Sequence, residues 1–428
     1  MLRLPRSRKV RLGLAAVAGA LVGFLALNFG GPEKQVEWQV EHSQGIDSPQ
    51  FHREMSVLLG PPMVDGNTVE ALQNGDEIFP AMLAAIRSAR HSVTFETYIY
   101  WSGRIGREFS EALAGRARAG VPVKVMVDWF GSQKMDAELL QTMEDAGVEI
   151  ERFHPLAWYT LSRMNNRTHR KLLVVDGHIG FTGGVGIADL WLGDAQDPQH
   201  WRDVHFRVEG PVVTQMQASF ADNWIKTTGR VLQGEEFFPS VRPVGNITAQ
   251  VFSSSPEGGA DSMRLMYLLA IAAADSSIDL AASYFVPDDL TTESLISAMQ
   301  RGVRLRIVLP GPHTDAEIVA SASSAEWGRL LEEGAEIYEY QPTMYHAKVM
   351  VVDGYMVSVG STNFDNRSFA LNAEANLNVY DRAFAAHMTE VFEQDIAEST
   401  QMTLQQWRDR PWSERITEQF SNMLRSQL

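Results

Sequence analysis

Two stretches of this chain repeat each other. Residues 169–186 read HRKLLVVDGHIGFTGGVG and residues 346–363 read HAKVMVVDGYMVSVGSTN. Seven of the eighteen positions are identical, at a separation of 177 residues. The agreement continues upstream in the same order. Ala119-Gly120-Val121 precedes an apolar run, as Arg301-Gly302-Val303 does, and Gly147-Val148-Glu149-Ile150 matches Gly334-Ala335-Glu336-Ile337. Ordered blocks of this kind indicate a duplicated unit. In 428 residues each copy has about 200, enough to bury its own core. The expected body is therefore two similar lobes, residues 67–240 and 241–428.

Each copy has the same coarse order. An apolar helix (about 77–90 and 260–274) precedes a strand, Ser92–Tyr100 and Ser277–Phe285. An amphipathic helix follows, marked by Ile105, Phe109 and Leu113 and, in the second copy, by Leu290, Leu295 and Met299. Next comes a β-branched strand, Val121–Val127 and Val303–Leu309. The repeated motif reads as two short strands joined at Asp176-Gly177 and at Asp353-Gly354, a tight-turn pair. Val212, Met216, Phe220 and Trp224, four apart, form a core-facing helical stripe. Alternating helices and strands imply an α/β fold, each lobe a mixed sheet flanked by helices, the lobes related by a pseudo-two-fold axis.

The N-terminus differs from the rest. Arg3, Arg6, Arg8, Lys9 and Arg11 precede the apolar run LGLAAVAGALVGFLALNF at 12–29. Eighteen residues reach across a bilayer core, and a basic flank stays in the cytoplasm. No small-x-small cleavage site closes the run. Residues 1–31 therefore read as an uncleaved single-pass anchor in a bacterial inner membrane, with the body on the extracytoplasmic side. Residues 32–66, polar with scattered Pro and Gly, read as a linker.

Setting the five N-terminal basic residues aside leaves 32 basic residues against 53 acidic ones, a balance of −21. Such a body repels nucleic acid at long range, so an anionic substrate needs a local positive pocket. The chain has no cysteine, which excludes disulfides, thiolate metal sites and a cysteine nucleophile.

The chemistry lies in His169-x-Lys171-x4-Asp176 and His346-x-Lys348-x4-Asp353, which use two of the seven lysines. On a strand, residues i and i+2 share a face, so each histidine projects with its lysine. Lobes packed about a two-fold axis bring both pairs into one cleft, and two imidazoles with two ammonium groups suit a phosphate diester. The lysines bind the non-bridging oxygens. One histidine attacks phosphorus while the other, protonated, gives a proton to the leaving alkoxide. No metal or cofactor is needed, and lysines beside the histidines would repel a cation. Ser361 and Asn363 offer a hydroxyl and an amide to phosphate oxygens. Asp203, 34 residues after His169, and Glu374, 28 after His346, could each orient the histidine of its own copy through Nδ1. Asp176 and Asp353 complete the motif, either in the chemistry or as caps of the Asp-Gly turns. His205 and His313 read as ordinary structural histidines.

These motifs resemble those of the phospholipase D superfamily, whose bipartite members carry His-x-Lys-x4-Asp twice, and within it the bacterial cardiolipin synthases. The resemblance spans residues 60–400 and rests also on NGDEIFPAM at 74–82, FETYIYW at 95–101, WRDVHFRVEGPVV at 201–213, SYFVPDD at 283–289, LPGPHTD at 309–315 and GSTNFDNRSFALNAEANL at 360–377. It implies a two-lobed fold with one active site between the lobes. It also implies conversion of two phosphatidylglycerols to cardiolipin and glycerol through a phosphatidyl-histidine. His169 would be the nucleophile and His346 the acid, Lys171 and Lys348 would grip phosphate with Ser361 and Asn363, and Asp203 and Glu374 would orient the histidines. The partners implied are phospholipids and a membrane, not nucleic acid.

The first copy departs from the second at Gly184 and Gly186, which stand where Ser361 and Asn363 do, so the two halves of the site are expected to differ. Trp158, Tyr159 and Leu161, before the first motif, are candidates to dip into a lipid interface. A phospholipase D that hydrolyses phospholipids to phosphatidic acid would use the same residues. A nuclease of the superfamily and a non-catalytic scaffold are the alternatives of other classes. The acidic body argues against the first, and two unbroken His-Lys pairs argue against the second.

Overall fold

The computed structural model describes residues 38–155, 166–255 and 262–412, with Gly19, Val36, Glu418 and Ser421 besides. By its contacts the chain divides into residues 1–38 and 39–428. The expected anchor at 12–29 lies outside the described residues apart from Gly19, as do Trp158, Tyr159 and Leu161. Among the described residues no helix is long and apolar enough to cross a membrane.

The first lobe runs β1 (Val64–Gln73), α2 (Asn74–Ser88), β2 (Val93–Thr97), α3 (Arg104–Arg118), β3 (Val123–Asp128), α4 (Ala137–Asp145), β4 (Glu149–Phe153), β5 (Leu172–Val175), β6 (Ile179–Gly183), β7 (Val204–Glu209) and α5 (Val213–Thr228). The second repeats the scheme. It runs β8 (Ile247–Ser254), α6 (Ser262–Ala273), β9 (Ser277–Ala281), β10 (Phe285–Val286), α7 (Asp289–Gln300), β11 (Arg304–Pro310), α8 (Glu317–Glu332) and β12 (Glu336–Tyr340), then β13 (Val349–Val352), β14 (Met356–Gly360), β15 (Phe364–Asp365), α9 (Asn366–Ala370), β16 (Glu374–Tyr380), α10 (Arg382–Ala397), β17 (Ser399–Met402) and α11 (Leu404–Asp409). Ahead of both lies α1 (Pro49–Leu59). It falls in the stretch read as a linker, yet Phe51, Met55 and Leu59 bury its apolar stripe against α6 of the second lobe.

The expectation of one sheet per lobe needs correction. Fifteen strands form a single sheet in the order β17-β12-β11-β9-β13-β14-β16-β8-β1-β7-β6-β5-β2-β3-β4. Read outward from the β8-β1 pair, the equivalents follow in the same sequence on both sides. β1 and β8 pair antiparallel, Val64 with Ala249 and Asn67 with Ile247, so a local two-fold relation lies at the seam. Strands with free edges pair readily, and here each copy covers the other's first strand.

Strand alternation places helices on both faces. Leu173 and Val175 of β5 point into the α2–α3 core, while Leu172 and Val174 point the other way. Met350 and Val352 against Val349 and Val351 repeat this on β13. The second of these cores belongs to both lobes. It joins Phe206 and Met216 to Leu377 and Phe384, with the Phe206 and Phe384 rings 6.2 Å apart. Each such fully buried side chain contributes about 1.5–3 kcal/mol, so the lobes are fused by hydrophobic burial as well as by strand pairing.

Candidate active site

The two His-x-Lys segments sit at one end of the sheet, beyond the C-terminal ends of β2, β3, β9 and β11 and before β5, β7, β13 and β16. Each strand proper begins one residue after its lysine, leaving His-x-Lys in an extended lead-in. Two backbone bridges hold these lead-ins across the lobes. His169 N–H donates to the Ala373 carbonyl (2.9 Å), and Ala373 N–H to Arg167 (2.9 Å). His346 N–H donates to the Arg202 carbonyl (2.7 Å), and Arg202 N–H to Met344 (3.0 Å). The segment before each histidine is thus tied to the segment before the other lobe's carboxylate.

This crossing corrects the expected pairing. His169 Nδ1 lies 3.0 and 3.1 Å from the two oxygens of Glu374. His346 Nδ1 lies 2.7 Å from Asp203 Oδ2. Each histidine is oriented by the opposite copy, because β16 and β7 begin at the seam while β5 and β13 approach it from their own lobes. With Nδ1 donating to a carboxylate, Nε2 is the nitrogen presented to a ligand. Both histidines and Lys171 line a cleft of about 780 Å³. Its walls include Tyr98, Trp101, Trp201 and Val319, with Phe130 exposed at the rim.

The lysines stand beside their histidines. Lys171 Nζ donates to the His169 carbonyl at 2.8 Å. Lys348 Nζ donates to the His346 carbonyl at 2.7 Å and to Ser283 Oγ at 2.5 Å, within 3.2 and 3.3 Å of the two His346 ring nitrogens. Burial, with the other lysine's charge, lowers Lys171 to about 7 against the pull of Glu374. Burial lowers Lys348 to about 8 against Asp203. Burial and the nearby ammonium groups bring His169 down to about 4 despite Glu374. His346 falls well below the ordinary range, through burial first and Lys348 second. The two orienting carboxylates differ. Burial pushes Asp203 up to about 6 against Lys348 and its hydrogen-bond donors. For Glu374 burial is outweighed by His169, Lys171 and Ser361, and its carboxyl is held below the usual range.

Ser361 is not placed as expected. Fully buried, its hydroxyl donates to Glu374 Oε2 at 2.5 Å instead of facing the cleft. Asn363 does line the cleft, and its Oδ1 has no hydrogen-bond partner. Asp176 and Asp353 lie at the far end of β5 and β13, away from the histidines. Asp176 takes φ 53° in its turn, and its carboxylate accepts from the N–H groups of Arg90, His91 and Ser92 at 2.7–3.0 Å. Asp353, at φ 51°, accepts from Asp275, Ser276 and Ser277 at 2.8 Å. Both fasten the loop that leads into β2 or β9, and neither lines the cleft.

The glycines of the first copy have steric causes. A Cβ on Gly184 would lie 2.2 Å from Asp203 Oδ1, and one on Gly186 would lie 2.8 Å from Ile99 Cβ and 3.2 Å from the Trp191 ring. Asp203 is one methylene shorter than Glu374 and reaches His346 by occupying the space that Ser361 fills in the second copy. Trp191 Nε1 supplies the missing donor, 3.0 Å from Asp203 Oδ2.

Sequence reasoning missed several supporting groups. Trp191 and Trp201 pack on His346 with ring centroids at 5.3 and 5.4 Å, and Tyr98 packs edge-on to His169 at 5.2 Å. Asp128, at the end of β3, accepts from the Phe130, Gly131 and Thr168 N–H groups at 2.9–3.1 Å. It thereby fixes the residue before His169. Arg202 bonds Asp395 Oδ1 at 2.8 Å, and Tyr345 bonds Asp395 Oδ2 at 2.8 Å, anchoring the His346 lead-in and the segment before Asp203 to α10. The aromatic residues next to His-x-Lys in the fold are far from it in sequence, and only the runs FETYIYW at 95–101 and WRD at 201–203 hinted at their presence.

The fold and site have counterparts among known proteins. A family model described as "Cardiolipin synthase, PLD-like domain" matches residues 82–224 and 267–396. Cardiolipin synthase 1 of Bacillus cereus is 34% identical over 376 residues, 85% of this chain and 73% of that protein. Cardiolipin synthase A of Pseudomonas putida is 34% identical over 358 residues, 83% of this chain and 74% of that protein.

The chain belongs to the cardiolipin synthase family.

It is accordingly an enzyme of the phospholipase D superfamily, a phosphatidyltransferase. The crystal structure of phosphatidylserine synthase from Haemophilus influenzae shares the fold. Its TM-score is 0.66 at 14% identity, over 88% of this chain and all of that one. For a cardiolipin synthase family member, the two matched segments correspond to the two copies of the repeat, and each contains one His-Lys pair.

Proposed function

We propose that this enzyme converts two phosphatidylglycerols to cardiolipin and glycerol. The reading is carried by both histidines and Lys171 on one cleft, with Lys348 beside His346 and each histidine held by a carboxylate of the opposite lobe. The Lys171 and Lys348 ammonium groups bind the non-bridging oxygens of the phosphodiester, with Asn363 on the same wall. The His169 Nε2 lone pair forms a bond to phosphorus as the bond to the headgroup oxygen breaks. His346, protonated on Nε2 once the bound phosphate anion offsets the ammonium charge beside it, gives that proton to the oxygen, and glycerol leaves. The covalent product is a phosphatidyl-histidine. A hydroxyl of a second phosphatidylglycerol then loses its proton to His346 and attacks phosphorus, the P–N bond breaks, and both histidines return to their starting states.

His169 is assigned the attack because Glu374, held below the usual carboxylate range by His169, Lys171 and the Ser361 hydroxyl, fixes the proton on Nδ1 and leaves the Nε2 lone pair free. Residues 12–29 anchor the enzyme in the bacterial inner membrane with the lobes on the extracytoplasmic side. The rim residue Phe130 and the apolar wall beyond it suit acyl chains at a lipid surface.

The test is purified full-length enzyme in vesicles of phosphatidylglycerol alone. The expected outcome is cardiolipin and glycerol in equal amounts. Phosphatidic acid with glycerol, and no cardiolipin, would show water as the acceptor and overturn the transferase assignment.

A further inference from the structure

The two histidines are supported unequally, and the inequality centres on Trp191. In the second copy, the carboxylate that orients a histidine receives the Ser361 hydroxyl (2.5 Å) and the Asn372 amide (3.3 Å). In the first copy both side chains at the Ser361 and Asn363 positions are missing, and the Cβ positions are blocked by Asp203 at Gly184 and by Ile99 first, then Trp191, at Gly186. The donors to Asp203 are the Val204 backbone N–H (2.8 Å, to Oδ1) and the Trp191 indole N–H (3.0 Å, to Oδ2). Oδ2 is also the atom that accepts from His346 Nδ1. The indole and the imidazole therefore share one oxygen. Trp191 touches His346 a second way, with its ring edge-on at 5.3 Å and 74°. The side chain is buried and held by Trp201, whose ring lies 4.7 Å away.

An indole N–H has one rigid direction and accepts nothing. It can bond only if the Asp203 carboxylate is turned with Oδ2 toward it, and that rotamer aims Oδ2 at His346. A serine hydroxyl can rotate and can accept, so it imposes no such direction.

We propose that Trp191 is a positioning residue for the proton-donating step, setting the direction of the Asp203–His346 hydrogen bond through its indole N–H. This rests on the reading above, in which His346 protonates the leaving glycerol. The side chain need not touch substrate. Its loss tilts the imidazole and misaligns Nε2–H from the leaving oxygen, which costs most when the leaving group needs a proton.

The experiment compares two donors in vesicles, phosphatidylglycerol and phosphatidyl-p-nitrophenol, by first-turnover release of the alcohol. Glycerol leaves only with a proton, whereas p-nitrophenolate leaves without one. The readout is the ratio of the glycerol rate to the p-nitrophenol rate in the full-length enzyme. Trp191→Phe is one variant. Incorporation of 3-benzothienylalanine at position 191 is the second, keeping ring size and fold while removing only the N–H. The expected result is a ratio about ten- to a hundredfold below wild type in both, a part of the usual contribution of a general acid. In an Asp203→Asn background the benzothienyl replacement is expected to change the ratio less than threefold, since the two residues act through one bond. Equal losses on both donors would mean a packing role and overturn the proposal, as would an unchanged ratio in the benzothienyl enzyme. His346→Ala is the separating control. If it does not lower the ratio, the acid assignment of His346 fails. If it does and the Trp191 variants do not, the fault lies with the Trp191 inference alone.

Discussion

Nδ1 of His346 lies 2.7 Å from Oδ2 of Asp203, although 143 residues separate them and they belong to different copies of the repeat. The reciprocal pair, His169 with Glu374, spans 205 residues. Neither lobe holds a complete histidine-carboxylate pair, so each half of the site depends on both copies. Replacing the carboxylate by an amide keeps the shape and lets the wrong nitrogen carry the proton. Glu374→Gln and Asp203→Asn are each expected to lower kcat by about 10²–10⁴. Steady-state cardiolipin formation, with circular dichroism melts to confirm folding, checks this.

The turn aspartates should behave differently. Asp176 and Asp353 each accept three backbone N–H groups at the loops before β2 and β9. Asp176→Ala or Asp353→Ala is expected to destabilise the fold by about 1–3 kcal/mol, the cost of leaving such donors unsatisfied. The folded fraction should keep its kcat within a fewfold. Thermal melts beside active-site-normalised rates separate the two effects, and a hundredfold loss of kcat in fully folded protein would return these residues to the chemistry.

These contrasts mark what the sequence could reveal. The duplication, the order of helices and strands and the two His-Lys pairs were legible because each is written in local spacing. The strands of the motif are short and apolar, Asp-Gly marks their turns, and Val212–Trp224 shows its helical stripe openly. The crossed partners were not legible, because linear spacing makes Asp203 look like the partner of His169 when β7 carries it to the seam. The continuous sheet was hidden for the same reason, since pairing of β1 with β8 leaves no signal in either strand. Ser361 misled by its place beside Asn363. It lies behind Glu374, and only the burial of its hydroxyl reveals that.

Restoring symmetry should be harmful. Ser361 is part of the second copy, but its counterpart Gly184 has no room, since a Cβ there would come within 2.2 Å of Asp203 Oδ1. Gly184→Ser is expected to displace that carboxylate and lower kcat at least a hundredfold, with KM changed less than threefold. Ser361→Ala removes one hydrogen bond to Glu374 and should cost about tenfold, the equivalent of one bond to a charged group. Rates of the two variants under the same conditions provide the check.

The lysines predict an alkaline limb. Burial first, and the other lysine's charge second, bring Lys171 to about 7 and lower Lys348, with burial again the main cause, to about 8. A lowered pKa means the ammonium loses its proton as pH rises through that value, and with it the grip on phosphate. In the free enzyme kcat/KM should therefore fall as pH rises past about 7 to 8. Lys171→Arg, whose guanidinium stays charged, should remove the lower step and carry the onset of the limb from about 7 toward the Lys348 value of about 8, whatever its absolute rate. A pH–rate series on both enzymes tests the direction, and identical limbs would remove the lysine from this role.

The central claim is phosphatidyl transfer to phosphatidylglycerol by two histidines in one cleft. Its most direct test is lipid analysis of a bacterial host lacking cardiolipin that expresses the wild type, His169→Ala or His346→Ala. Cardiolipin should appear with the wild type and be absent with both variants at equal protein levels. Cardiolipin formed undiminished by either variant, or no cardiolipin from folded wild type, would contradict the account.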